Sequence, residues 1–366
     1  MARQARGEYL NPDEIQVVHA VQRCVRQAFL CGLDKNTGSN YEHRRRWIRE
    51  RFEFLASVFA IDCLTYTVLS NHLHIVLRSR PDVVKSWSDE EVARRWCRLF
   101  PKQRDKDGTP IKPTEFQLNM VLLNAEKLAE VRRRLSDISW WMRCTAETIA
   151  RQANKEDRTT GRFWQGRYRA QLLLDEASIL ACAAYVDLNP VRAALADRPE
   201  NSDFTGAKDR IDDLKQRQGT KRENLKKSTH QWERSRARSK SGWMAPIEIN
   251  ERTDPVGCDR DDSGRRASKK GFLSMPMAQY LELLDWTGRQ IRAGSSGSIP
   301  KHLAPILSRI GLDSSSWCDV VKKFGKIFKQ AAGSQQSMTD EARRRNQSHM
   351  HASGCALFGS AVSASP

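Results

Sequence analysis

The sequence lacks the features that would place it in a membrane or in an oxidising compartment. No apolar run approaches the roughly 20 residues that a spanning helix needs, and the opening residues, MARQARGEYLNPDE, contain no hydrophobic signal-peptide core. Nine cysteines are present, but no two form a C-x-x-C pair, so neither a zinc knuckle nor a disulfide framework is indicated. We therefore expect reduced thiols, no membrane partner and a cytoplasmic location.

The sequence also lacks a nucleotide-binding motif and an excess of acid. It contains no Gly-x-x-x-x-Gly-Lys-Ser/Thr run, so no nucleotide site is expected. Lys and Arg number 62 against 44 Asp and Glu, which gives a net charge of +18. Such an excess favours a polyanionic partner, although a ribosomal, membrane-surface or merely soluble basic protein would share it.

Two histidines lie in the most informative stretch, residues 65–78 (TYTVLSNHLHIVLR). Ser70-Asn71 is a turn signal between two β-rich runs, so the pattern predicts a hairpin whose second strand begins near His72. Side chains alternate between the faces of a strand, so His72 and His74 share one face, opposite Leu73. Two neutral imidazoles side by side are suited to a divalent cation and leave coordination positions open.

Other segments predict a mixed α+β fold. Residues 15–24 read as a strand in the middle of a sheet and residues 41–59 as a helix. Ser88 and Glu91 form a capping box before a helix that reaches residue 100, and residues 115–155 predict two helices that are broken near residue 136. Residues 166–174 predict the strand that closes the sheet, and residues 176–194 a helix that ends or kinks at Asn189-Pro190.

Tyr185 and Asn189 are four residues apart in that last helix, so they lie on one face and can offer a phenol and an amide to the same site. On their own they could equally be an amphipathic residue and a helix terminator. Basic and aromatic residues alternate just before this helix, and bases stack on aromatic rings while cations bind phosphates. The candidate DNA contacts are Arg162, Trp164, Arg167, Tyr168 and Arg169.

Three motifs in order, YTVLSNHLHIVL, RFWQGRYRAQLL and YVDLNPVRAAL, resemble the signatures of the single-tyrosine HUH transposases, which are insertion-sequence-200-like. More narrowly, they resemble the REP-associated tyrosine transposase branch. The resemblance covers residues 15–206 and implies a ferredoxin-like antiparallel sheet that carries the histidines, with flanking helices. It implies that His72, His74 and Asn189 bind Mg²⁺ or Mn²⁺ and that Tyr185 is the nucleophile.

The implied reaction cleaves and rejoins single-stranded DNA at hairpin or repeat sequences through a 5′-phosphotyrosine. A free phenol has a pKa near 10, so a divalent cation on the phosphate would assist its attack. Tyr66 and Tyr168 are rival nucleophiles. Two other functions stay open: a domesticated, non-catalytic DNA-binding or regulatory protein, and a metal-dependent nuclease in which water attacks. The resemblance also implies a bacterial, nucleoid-associated protein of a mobile element, and leaves a homodimer open.

The chain is longer than the resemblance requires. We predict a catalytic domain at 1–206 with a helical insertion at about 86–160, then a basic flexible linker at 207–270. A small helical module at 271–345 could bind DNA, bind a second copy or brace the catalytic domain. A disordered tail at 346–366 contains a second H-x-H, His349 and His351, with no apolar strand around it, and we assign that pair no role.

Overall fold

A computed structural model describes residues 9–25, 30–34, 38–223, 239–250, 257–293, 299–347 and 358. The second H-x-H, His349 and His351, and almost all of the predicted tail lie outside the described residues. Within the described residues no helix is both long and apolar enough to cross a membrane.

One five-stranded sheet organises the fold, and its strand order is β2-β3-β1-β4-β5. The first four strands pair antiparallel, and β5 pairs parallel with β4. This confirms the α+β class, and the order of the four antiparallel strands is that of a ferredoxin-like sheet. The strands are β1 (Val17–Arg23), β2 (Ile61–Val68), β3 (His72–Ser79), β4 (Arg169–Leu173) and β5 (Ala331–Ala332).

Thirteen helices flank the sheet in the described part of the chain. The helices between residues 43 and 192 are α1 (His43–Ala56), α2 (Pro81–Lys85), α3 (Asp89–Leu99), α4 (Glu115–Leu122), α5 (Ala125–Arg134), α6 (Ile138–Glu156), α7 (Glu176–Asp187) and α8 (Asn189–Arg192). Those of the C-terminal part are α9 (Gly206–Glu223), α10 (Met277–Ala293), α11 (Ala304–Arg309), α12 (Ser314–Ile327) and α13 (Gln335–Arg344).

Most predicted elements are present, with three differences. Residues 115–155 form three helices instead of two, because the Asn124 side chain accepts from the Lys127 amide and so caps a new helix. The strand predicted from residue 166 begins at Arg169. That strand does not close the sheet, because β5 pairs along its outer side. The Ser88 cap before α3 is confirmed, since its hydroxyl accepts from the Glu91 amide.

The two faces of the sheet are covered by different helices. On one face Leu73, Ile75 and Leu77 of β3 pack with residues of α1 and α6, such as Phe52 and Trp141. On the other face α7 lies across β2, β3 and β4. β2 is therefore buried along its whole length and β3 along most of it, although both carry polar residues such as Asp62, Thr67 and His74.

Of the C-terminal helices, α12 packs directly on α7, and α10 packs on α8 and α12. The second apolar cluster joins Leu180 and Val186 of α7 to Leu284 of α10 and Phe324 of α12. The segment predicted as a linker contributes α9, in which Asp209 accepts a hydrogen bond from Tyr66 of β2 at 2.8 Å. The domain boundaries that we derived from composition stay predictions.

Candidate active site

His72 and His74 share one face of β3, as the two-residue alternation predicts. In the sheet His74 is paired with Val21 of β1 on one side and with Thr67 of β2 on the other. Its side chain is 3% exposed, whereas His72, at the end of the strand, is half-buried. The ring centroids are 4.9 Å apart, so the two imidazoles form one continuous nitrogen-bearing surface.

A third imidazole, His19 of β1, lies beside this pair. Its Nε2 is 2.9 Å from Nδ1 of His74, and the two rings are stacked with centroids 5.1 Å apart. On its other side His19 Nδ1 is 3.1 Å from Oε1 of Gln171 on β4. The row Gln171, His19 and His74 therefore crosses three neighbouring strands.

With the Gln171 amide oriented as it is in this structure, the row assigns the proton of each ring to one nitrogen. Gln171 presents an oxygen, so His19 Nδ1 donates to it and His19 Nε2 is left as an acceptor for the Nδ1–H of His74. The Nδ1 of His72 likewise lies against the side-chain oxygen of Asn71 and donates to it. His72 and His74 consequently both keep Nε2 as a lone pair.

Asn189 faces the lone pair of His74, with its side-chain nitrogen 3.2 Å from His74 Nε2. The kink predicted at Asn189-Pro190 produces this position: α7 ends at Asp187 and α8 begins at Asn189. Pro190 has no N–H to donate to the Val186 carbonyl, which instead accepts from the Thr67 hydroxyl of β2 at 2.6 Å. The end of α7 is thereby held against the sheet, and the Asn189 side chain is 7% exposed.

Tyr185 lies one turn before Asn189 and packs against the same histidines. Its ring centroid is 5.6 Å from that of His74 and 5.8 Å from that of His19, both in edge-to-face geometry. The Arg192 guanidinium stacks on the ring at 4.4 Å from its centroid. Phe324 of α12 packs at 5.7 Å from Tyr185, which is 9% exposed.

Gly325 of α12 brings this helix against the phenol. A β-carbon placed on Gly325 would be 2.8 Å from the Tyr185 hydroxyl oxygen, which is closer than such contacts normally are. Only a residue without a side chain allows this approach. The C-terminal module therefore forms one wall of the site.

The rival tyrosines are elsewhere. Tyr66 is fully buried on the opposite face of the sheet and donates to Asp209 at 2.8 Å. Tyr168 is 6% exposed, and its hydroxyl is 3.0 Å from that of Ser139 on α6. Of the three tyrosines, Tyr185 is the one beside the histidines.

Burial keeps the three imidazoles neutral. Desolvation lowers the pKa of His19 to about 4, against a smaller opposing effect of its hydrogen bond with Gln171. Desolvation and then the charge of Arg23 lower the pKa of His72 to about 4. Desolvation, followed by the two neighbouring histidines, takes the pKa of His74 well below its usual value of 6.5. At neutral pH their lone pairs are thus available to a cation.

These side chains line an open cleft of about 470 Å³, the histidine cleft, whose wall includes His19, His72, His74, Gln171, Tyr185 and Gly325. Among the described residues, the rim includes no carboxylate and four exposed basic residues, Arg23, Arg167, Arg169 and Lys329. A cleft with this charge attracts phosphate groups.

Two of the five candidate DNA contacts, Arg167 and Arg169, lie on this rim. Arg162 is exposed but does not line the cleft. Trp164 and Tyr168 are buried in the first apolar cluster, and the Trp164 indole donates to the Ala146 carbonyl of α6 at 2.8 Å. Their rings are therefore not surfaces for stacking with bases in this structure.

A divalent cation would be held by the Nε2 atoms of His72 and His74, and Asn189, whose side chain meets Nε2 of His74, would supply an amide oxygen. Both imidazoles present Nε2, and each donates from Nδ1 to a fixed acceptor, as metal-binding histidines do. Within the described ranges no group of three or more His, Cys, Asp or Glu side chains forms a metal site, so an amide would supply the third ligand. A half-turn of the Asn189 amide exchanges its nitrogen for its oxygen at His74.

Sequence reasoning missed His19, Gln171 and Gly325. His19 stands alone in an apolar strand, VVHAVQR, where its position opposite the H-x-H strand follows only from the strand order. The basic rim of the strand before α7 was predicted; the role of Gln171 in the same strand was not. Gly325 carries no sequence signal, because it is an ordinary glycine inside a helix.

Comparison with models of known families and with curated protein sequences finds no match. Comparison with solved structures finds a REP-associated tyrosine transposase bound to a REP hairpin. The likeness has a TM-score of 0.31 and 10% sequence identity, and it covers 56% of this chain and 81% of that chain. A likeness of this size does not place the chain in a family.

Proposed function

We propose that this chain is a metal-dependent strand transferase of the single-tyrosine type, which cleaves and rejoins single-stranded DNA at hairpin or repeat sequences. The observation that supports the proposal is that His72, His74 and Tyr185 line one cleft with a basic rim, while Asn189 lies against His74. They come from a strand and a helix that are far apart in the chain. In the tautomers assigned above, both imidazoles leave Nε2 as a lone pair, and His74 lies edge-to-face against the phenol ring.

The reaction exchanges one phosphodiester for another. The Tyr185 oxygen attacks phosphorus and loses its proton, the bond from phosphorus to the 3′ oxygen breaks, and that oxygen leaves as a 3′-OH. The downstream strand is then held as a 5′-phosphotyrosine. Since one ester replaces another, the reverse reaction can join a 3′-OH without ATP. A divalent cation at His72, His74 and Asn189 would supply charge to polarise the phosphate.

The remaining residues of the site orient these groups. His19 and Gln171 hold the ring of His74, so that its Nε2 points toward Asn189. The Arg192 guanidinium and Phe324 hold the Tyr185 ring from two sides. Of the two cations implied by the resemblance, Mn²⁺ is the softer and suits two imidazole nitrogens better than Mg²⁺ does.

The test is a covalent adduct. With Mn²⁺ and a single-stranded hairpin oligonucleotide labelled downstream of the break, wild-type protein should form a product that survives denaturation and carries the label. Tyr185→Phe should form none, because it removes only the attacking oxygen. Tyr168→Phe is the matched control, since Tyr168 is similarly buried and lies outside the histidine cleft. Adduct formation in Tyr185→Phe would place the nucleophile elsewhere.

The packing of α12 against the Tyr185 hydroxyl favours a second candidate function, that of a DNA-binding protein that does not transfer strands. The phenol is 9% exposed, and Gly325 lies directly against its hydroxyl. In that case the wild type would bind hairpin DNA and form no adduct with any divalent cation. Cleavage without an adduct would instead indicate a nuclease in which water attacks.

A further inference from the structure

A second cavity lies on the other side of α12, outside the histidine cleft. It has a volume of about 710 Å³ and is formed by α8 with the turn that follows it, by the end of α10 and by α12. We call it the basic cleft, and its charged lining residues are Arg192, Arg292, Lys322, Lys323, Lys326 and Asp197.

The positive charge of the basic cleft is poorly neutralised. Lys323 pairs with Asp319 at 3.1 Å, but Lys322 and Lys326 form no ion pair with the described residues. Lys322 and Lys326 are one turn apart on α12, so their like charges repel each other. A bound polyanion would relieve this repulsion.

Arg192, Arg292 and Asp197 leave the basic cleft with an excess of positive charge. Arg192 donates to the Lys322 carbonyl at 2.7 Å and Arg292 to the Asp197 carbonyl at 2.9 Å, so both guanidinium groups keep their full charge. The Asp197 carboxylate is already bound by Arg198 at 3.2 Å and by the Asn201 amide. Of the five cations that line the cleft, Lys323 is paired with Asp319, and the other four face one carboxylate, Asp197, that is engaged elsewhere.

The basic cleft is connected to the candidate active site through two residues. Arg192 lines the basic cleft, and its guanidinium lies on the Tyr185 ring, which lines the histidine cleft. On α12, Gly325 lines the histidine cleft and the next residue, Lys326, lines the basic cleft. A flexible polymer of phosphates that lies at Tyr185 thus needs only to cross the end of α12 to reach the lysines.

We propose that the basic cleft binds the backbone phosphates of single-stranded DNA, of the same strand whose scissile phosphate is held at Tyr185. This rests on the proposed function for the identity of the polymer. The lysines contact phosphates and no base edges, so the cleft contributes affinity without sequence preference. It assigns the C-terminal module a part in DNA binding, beyond packing on α7.

The test compares two variants that lose the same charge. The first is Lys322→Gln, Lys323→Gln and Lys326→Gln together. The control is Lys102→Gln, Lys106→Gln and Lys112→Gln together, three exposed lysines of the helical insertion. Both are made in a Tyr185→Phe background without divalent cation, so that binding of a single-stranded oligonucleotide is measured apart from any cleavage. Affinity is measured by fluorescence anisotropy from 50 to 300 mM salt.

The first variant should bind more weakly, and the slope of log affinity against log salt should become shallower by about two, since each lost phosphate contact removes about 0.7. The control slope should match that of the unmodified background. Replacing the same three α12 lysines with arginine should retain the full slope, because the charge is kept.

Equal slopes for the first variant and the control would overturn the proposal and would leave strand transfer at Tyr185 untouched. Failure of the unmodified background to bind single-stranded DNA would overturn it as well. If the first variant loses slope while the wild type forms no covalent adduct, the basic cleft binds DNA and the proposed strand transfer is wrong.

Discussion

Gly325→Ala directly tests the position of α12 over the Tyr185 hydroxyl. The added β-carbon would be 2.8 Å from the hydroxyl oxygen and 3.4 Å from the ring carbon that bears it. Tyr185 cannot move aside freely, because Phe324 and the Arg192 guanidinium pack against its ring and His74 meets its edge. The strain must therefore appear as a loss of stability.

The magnitude follows from two opposing effects. Replacing glycine by alanine inside a helix stabilises it by about 0.5–1 kcal/mol. Overpacking a well-filled site costs about 1–3 kcal/mol, so the net loss of stability relative to wild type should lie between about 0 and 2.5 kcal/mol. In a Tyr185→Phe background the hydroxyl is absent and the nearest atom is the ring carbon at an ordinary distance. There, Gly325→Ala should stabilise by about 0.5–1 kcal/mol.

The assay is urea unfolding of the wild type, both single variants and the double variant. The structure predicts a coupling free energy of about 1–3 kcal/mol between positions 185 and 325. If Gly325→Ala changes the stability of wild type and of Tyr185→Phe equally, then α12 does not lie on the hydroxyl in solution. The assignment of the C-terminal module as one wall of the site would then be wrong.

Three other outcomes are expected. Mn²⁺ at 100 times its dissociation constant should stabilise the wild type against thermal unfolding by about 2.7 kcal/mol, and it should not stabilise His74→Ala. Equal stabilisation of the two proteins would exclude His74 as a ligand. His19→Leu should weaken Mn²⁺ binding about 10- to 100-fold by calorimetry, since leucine offers no acceptor to the His74 Nδ1–H; unchanged affinity would refute that role. Without metal, the free energy of unfolding should fall by about 2 kcal/mol for each of His19 and His72 between pH 7 and pH 5, and a flat urea profile would contradict their burial.

The sign of the pH effect follows from the direction of the shifts. A histidine in the unfolded chain takes up a proton near pH 6.5, whereas His19 and His72 in the folded chain do so only near pH 4. The unfolded state therefore binds more protons between these values. Stability is greatest above about pH 6.5 and is lost as the pH falls toward 4.

Local periodicity was enough to predict the parts of the site that are close in sequence. Alternation along β3 put His72 and His74 on one face, and the four-residue spacing put Tyr185 and Asn189 on one side of their helix. The kink between them followed from Pro190, which cannot donate a backbone hydrogen bond. Each inference depends on one strand or one helix turn.

The parts that sequence could not predict depend on which elements are neighbours. His19 meets His74 because β1 lies between β3 and β4, and no local pattern encodes that order. Trp164 and Tyr168 alternate with arginines, so the sequence predicts that aromatic and basic side chains lie on opposite sides of this segment. The aromatic side is the buried one because α6 packs against it. The helix boundary at Asn124 did have a local signal, a capping asparagine, and could have been found.

Asp187, between Tyr185 and Asn189, has a buried carboxylate whose hydrogen-bond donors are synthesised at different times. It accepts from Thr65 of β2 at 2.6 Å, from the Ala207 amide at 3.0 Å and from the Tyr280 hydroxyl of α10 at 2.6 Å, and burial raises its pKa. On the ribosome the four antiparallel strands and their histidines emerge first, while Tyr280 arrives several seconds later at typical rates of about 5–20 residues per second. A nascent chain thus contains the histidines before Tyr185 is held in place beside them. The hydrogen bond from Tyr280 to Asp187, and with it this support of the candidate site, forms only after residue 280 has been synthesised.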